Sequence, residues 1–166
     1  RDLDKEYVAT IRLGETTPSY DRETEVDGRF PVEHITEGLV IKILNSFIGE
    51  QKQVPPVHSA KLLEGKRAYE YARKGIEKEM TPVTVHFREL ELISADMPDI
   101  TVRIVCSKGT YIRSFARDLG KALESGACLT GLVRTAIGPY ILKDAFSLEK
   151  FENFITEMKH NGKSSV

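Results

Sequence analysis

The chain has 166 residues and a net charge of −1, from 24 basic and 25 acidic side chains. Apolar residues at 40% and charged residues at 30% are the proportions of an ordinary globular domain, which excludes global disorder and collagen-like structure. No apolar run approaches the roughly 18 residues of a spanning helix, and no secretory leader is read at the start. The two cysteines, Cys106 and Cys128, have neither disulfide nor zinc spacing; the expectation is a cytoplasmic chain with no membrane contact.

The near-zero charge hides a pattern. Residues 1–50 carry 6 basic and 11 acidic side chains, whereas residues 51–78 carry 7 and 3, a local net of +4. Local potential, not overall charge, sets attraction to phosphate, although a lysine-rich solvated face has the same composition.

Tyr7 to Leu13 alternates, with Tyr7, Ala9, Ile11 and Leu13 on one side, and reads as a half-buried strand closed by Gly14. Residues 15–35 are acidic and turn-rich, a loop long enough to suggest function. After Thr36, a good N-cap, Leu39, Val40, Ile43, Leu44 and Phe47 have helical spacing up to Gly49, which predicts a helix over 37–48.

Pro55-Pro56 imposes an extended path. A basic insertion of about 53–82 follows, with a short helix predicted over 66–74. Two tyrosines and five basic residues interleave between 61 and 74, a style suited to RNA, although such tyrosines can equally pack under a helix. Strands are predicted over 82–94 and 100–107, antiparallel, with a bulge between Phe87 and Leu90 where the apolar phase shifts. A helix over 111–124 buries Ile112, Phe115, Ala116, Leu119 and Leu123, with Arg113 and Arg117 one turn apart on another face. A strand over 128–137, a helix from Ser147 and a frayed tail over 159–166 complete an α+β fold: a mixed, mainly antiparallel sheet with packed helices.

The chain has no nucleotide glycine fingerprint, phosphate loop, metal cluster or nucleophile elbow, and no metal or cofactor is expected. The histidines at 34, 58, 86 and 160 are scattered, and Cys106 reads as a small buried hydrophobe. Arg113, in the first turn of its helix beside a strand end, can pair bidentately with a phosphate or with a buried carboxylate. Spacing alone leaves a structural ion pair and a functional site equally open.

Cys106-Ser107-Lys108-Gly109-Thr110-Tyr111-Ile112-Arg113, followed by Asp118-Leu119-Gly120, resembles the strand–turn–helix motif of the TruB family, the bacterial tRNA pseudouridine-55 synthases. Lys5-Glu6-Tyr7 with Arg12-Leu13-Gly14 and Asp21 resembles a second family motif. Val54 to Lys61 and Gly65 to Gly75 resemble the thumb-like RNA-clamping insertion, and Gly126-Ala127 with Leu129 to Thr135 resembles the leucine-bearing strand. The likeness covers about residues 3–155.

The resemblance implies an isomerase that detaches a uracil, rotates it and rejoins it through carbon 5, acting on uridine 55 in the T-stem-loop of tRNA without an obligate protein partner. It implies that Tyr7 stacks on the flipped base and shares in removing the carbon-5 proton. By the same likeness Arg113 pairs with the catalytic aspartate, and Leu132 forms an apolar wall. It assigns RNA contacts to Asp21, Lys61, Lys66, Arg67, Arg73, Lys74, Lys108 and Arg134. The family's Gly-His-Thr-Gly-type loop, with its nucleophilic aspartate, belongs upstream of Arg1, and none of the eight aspartates here has that context. The expectation is therefore the later portion, about 1–158, of a catalytic domain. It would lack the PUA domain, be inactive alone, and self-associate through an unpaired edge of strand 7–13 or a neighbour. Two other readings stay open, a non-catalytic RNA-binding module and a scaffold whose Arg113 is purely structural. The insertion favours the stand-alone bacterial type over ribonucleoprotein pseudouridylases.

Overall fold

The computed structural model describes residues 3–57, 62–63, 66–67 and 80–144. The principal element is a six-stranded sheet. In chain order its strands are β1 (Lys5–Leu13), β4 (Gly49–Gln53), β7 (Val83–Asp96), β8 (Asp99–Cys106), β9 (Ala127–Ile137) and β10 (Tyr140–Ile141). Two-residue strands β2 (Glu15–Thr16) and β3 (Gly28–Arg29) pair with each other, as do β5 (Leu62–Leu63) and β6 (Lys66–Arg67). The spatial order of the main sheet is β10-β9-β1-β8-β7-β4, and every strand pairing among the described residues is antiparallel.

Alternation along β1 decides which face is covered. Ala9, Ile11 and Leu13 are buried, and Val102, Ile104 and Cys106 of β8 lie buried on the same face. Helices α1 (Glu37–Phe47) and α2 (Ile112–Ala122) pack over it. Thr36 caps α1 by accepting from Leu39 N, and Val40 and Leu44 point inward. Ile112, Phe115, Ala116 and Leu119 of α2 are buried, and the Phe115 ring meets those of Phe47 and Phe87 at 5.6 and 5.1 Å. Each such side chain contributes about 1.5–3 kcal/mol of burial. The opposite face is ionic: Arg12 pairs with Asp99, and Arg103 with Glu6, Glu89 and Glu91.

The predicted bulge is present as a register shift between Phe87 and Glu89, and Cys106 is fully buried. Three expectations need correction. Residues 15–35 are not wholly loop, because Glu15–Thr16 and Gly28–Arg29 pair across them. Gly49–Gln53, in which no strand was expected, pairs with β7 at the sheet edge; its polar sequence carries no β-branched residue, and an edge needs only one partner. Lys66–Arg67 begins no helix but pairs with Leu62–Leu63. Residues 68–79 and the helix expected from Ser147 lie outside the described residues, as does the tail.

The position of β1 also differs from one form of the edge expectation. It is central, bonded to β8 on one side and β9 on the other. The exposed edge belongs to its neighbour. Among the described residues β9 meets β10 only at Ala136 and Ile137, leaving the outer edge before them unpaired.

Candidate active site

β1 and β9 run in unbroken register between two bulges, with Tyr7 opposite Arg134 and Ala9 opposite Leu132. Residues directly opposite share a face, so Tyr7, Leu132 and Arg134 stand on the face that carries the core. Tyr7 and Leu132 are diagonal neighbours, a separation of about 7–8 Å between strands. This corner lies beyond the part of the face that the helices cover: Leu132 is 45% exposed and Tyr7 half-buried. Burial pushes the Tyr7 phenol above its ordinary range, Cys106 adds to the rise, and Arg134 acts against it.

Arg113 enters from α2. The turn after β8 is set by Thr110, whose hydroxyl donates to Ser107 O, and by Gly109 at φ 78°, a conformation that suits a residue without Cβ. The first backbone N–H at the helix start, that of Tyr111, donates to Gln53 Oε1 at 2.8 Å. Arg113 Nη1 then reaches Asp21 Oδ2 at 3.1 Å, with the two side chains 23% and 16% exposed. Asp21 Oδ1 accepts from Ser19 Oγ and from Glu23 N, so both carboxylate oxygens are engaged. Asp21 also lines a shallow hollow of about 260 Å³ with Leu129, Thr130, Gly131 and Leu132.

The structure thus brings Asp21 and Leu132 to one hollow; neither Arg113 nor Tyr7 is among its lining residues, Arg113 reaching it through its ion pair with Asp21 and Tyr7 through Leu132. The partnership of Asp21 with Arg113 was not legible in sequence, since 92 residues separate them. The one available signal was an arginine in a first turn that required some anion. Lys108 and Arg134 are exposed, the first at the β8–α2 turn and the second on β9. Lys61, Arg73 and Lys74 lie outside the described residues, and Lys66 and Arg67 are described by backbone only.

Among the described residues, an aromatic ring, an aliphatic side chain and an arginine-bound carboxylate thus lie near one exposed corner of the sheet. A family model described as TruB family pseudouridylate synthase (N terminal domain) matches residues 1–112. The chain belongs to the TruB family. It is 55% identical over 153 residues to tRNA pseudouridine synthase B of Parabacteroides distasonis, covering 92% of this chain and 65% of that protein. Against the Flavobacterium johnsoniae protein of the same name the identity is 51% over 150 residues, 89% of this chain and 65% of the relative. The chain thus spans about 65% of the length of these curated relatives. Among solved structures, a Cbf5-Nop10-Gar1 complex contains a chain similar at TM-score 0.66 and 24% identity, over 96% of this chain and 38% of that one. An H/ACA RNP bound to a substrate RNA containing 2'-deoxyuridine gives 0.60 and 21%, over 98% and 37%. At these identities the likeness is one of fold.

Proposed function

We propose that this chain is the base-holding part of a tRNA pseudouridine synthase that isomerises uridine 55 in the T-stem-loop. The observation that carries the reading is the shared hollow, in which an Arg113-bound carboxylate and Leu132 meet beside the Tyr7 corner. The family membership and the name shared by the relatives support the reaction class.

In this reaction the bond from the ribose C1′ to N1 breaks, the base turns, and a bond to carbon 5 forms. The carbon-5 proton is lost and N1 gains one, so the atoms balance without a cofactor. A ring on one side and an aliphatic wall on the other hold a flat base while leaving it free to rotate between them. Tyr7 acts as a neutral phenol at physiological pH, because its raised pKa disfavours the phenolate. Its part is therefore stacking, since a phenol that keeps its own proton has no oxygen basic enough to take one from carbon 5. Asp21 does not attack the sugar in this reading: Ser19, Glu23 and Arg113 already occupy its two oxygens. It orients Arg113, and the attacking carboxylate belongs to a part of the longer protein outside these residues. The chain alone is then inactive.

The basic segment grips phosphates. Replacing Lys66, Arg67, Arg73 and Lys74 with alanine weakens tRNA binding. It also flattens the slope of log affinity against log salt by about 0.7–0.9 for each phosphate no longer neutralised.

The test is tritium release from uracil labelled at carbon 5 in T-stem-loop RNA. In the longer protein Arg113→Lys lowers kcat by about 10²–10³, the scale of a missing charge-stabilising group. A retained rate refutes the assignment and returns Arg113 to a structural ion pair. Release by the 166 residues alone overturns the placing of the nucleophile outside them.

A further inference from the structure

Helix α2 carries a second arginine one turn after Arg113, which the reading above leaves without a task. Arg117 Nε and Nη2 hold Asp118 Oδ1 at 2.8 and 2.7 Å, and Nη2 also donates to Val54 O at 3.3 Å. The guanidinium carbon stands 4.8 Å from the centroid of the Tyr20 ring, and the side chain is 12% exposed. One side chain therefore touches two segments that are distant in sequence.

Both segments matter to the site. Val54 is the first residue after β4, the root of the 54–82 connection between the paired strands β4 and β7. Its carbonyl accepts a second bond, from Ser114 Oγ at 2.8 Å, while the neighbouring Gln53 side chain accepts from Tyr111 N. Tyr20 is the residue before Asp21. It has φ 64°, a left-handed backbone that a bulky side chain adopts only when its surroundings hold it there. Its carbonyl accepts from Leu129 N at 2.9 Å, which ties the same peptide to β9.

We propose that Arg117 is a positioning residue that fastens the root of the insertion at Val54 to the strained Tyr20–Asp21 step, so that seating of RNA against the insertion is passed to the Asp21–Arg113 pair. The proposal rests on the reading that the insertion engages RNA, but the fastening itself does not. A guanidinium suits the task because its edge binds a carboxylate and a carbonyl while its flat face lies on a ring; an ammonium has no such face. A hollow of about 410 Å³ beside the latch, lined by Val54, Arg117 and Asp118 among others, leaves the root room to shift when the latch is cut.

Amide hydrogen exchange on the free chain tests the fastening without any RNA. Arg117→Lys keeps the charge but cannot lie flat on the ring; exchange then quickens about tenfold together at Ser19 and Tyr20, at Leu129, and at Tyr111, whose N–H is held by Gln53 beside Val54, while the β1–β8 ladder is unchanged. Tyr20→Leu, which leaves Arg117 in place, produces the same rise at Tyr111, held by Gln53 on the far side of the guanidinium. A response confined to one segment in both variants overturns the proposal and leaves a local Arg117–Asp118 pair. In the longer protein Arg117→Lys lowers kcat about tenfold with KM for RNA within about twofold, the pattern of impaired positioning rather than impaired binding; an unchanged kcat also overturns it. Absence of turnover by the unaltered longer protein strikes the functional reading alone, because the exchange coupling is read without substrate.

Discussion

Gly120 sits in the interior of α2, where replacing glycine with alanine ordinarily stabilises a helix by about 1 kcal/mol. Here the sign is reversed. A Cβ on Gly120 would stand 2.4 Å from Ala127 N, 2.6 Å from Gly126 C and 2.7 Å from Ala127 Cβ. The first two of these are backbone atoms at the start of β9, so no rotamer change relieves the clash. The helix must instead lift from the strand by several tenths of an ångström. Overpacking of this kind costs about 1–3 kcal/mol, and a backbone clash belongs at the upper end. Subtracting the helical gain leaves a net loss of about 2 kcal/mol for Gly120→Ala. For a domain of this size that is a fall in Tm of about 4–8 °C. The consequence reaches the site, because α2 carries Arg113 and β9 carries Leu132 and Arg134. Urea and thermal unfolding of the purified chain measure the effect. A variant as stable as the parent, or more stable, shows that the packing of α2 on β9 yields freely and refutes the reasoning.

Two further outcomes follow from the sheet. Hydrogen bonding by Thr135, opposed by burial and assisted by Arg103, lowers the pKa of Glu6 below its ordinary 4.5, and Arg12 lowers that of Asp99 below 3.8. Groups with depressed folded values contribute stability above their unfolded pKa, and that stability is lost as pH falls through the folded value. Carboxyl titration by NMR should therefore give both groups midpoints below these ordinary values, with unfolding easier as pH drops below about 4; the effect is small because both pairs are partly exposed. Midpoints at or above the ordinary values refute the pairing. The outer edge of β9 before Ala136, which pairs with no strand among the described residues and has Leu132 and Val133 45% and 49% exposed, is expected to drive self-association that Leu132→Lys with Val133→Lys abolishes. Light scattering that finds the parent a monodisperse monomer removes this expectation.

Much of the fold was legible because its signals are local. Alternation from Tyr7 to Leu13, the Thr36 cap and the apolar stripe Ile112-Phe115-Ala116-Leu119 each encode an element within a few residues, and each is found where the pattern put it. The apolar phase slip at Phe87 even located a bulge. The polar strand Gly49–Gln53 escaped because its pairing comes from the exposed ladder of β7 rather than from any preference of its own side chains.

The site divides along the same line. The sequence by itself determined which residue types were available and that Arg113 would stand at a helix start beside a strand end, since caps, turns and periodicity are short-range physics. Only the tertiary structure decided that Asp21, in an acidic loop, would be its partner. The same holds for Tyr7 and Leu132 becoming diagonal neighbours on the uncovered corner of one face, and for Arg117 bridging Val54 and Tyr20. Those pairings join segments far apart along the chain, and their geometry is fixed by strand register and by the close approach of α2 to β9 at Gly120. No local preference of any one segment specifies them.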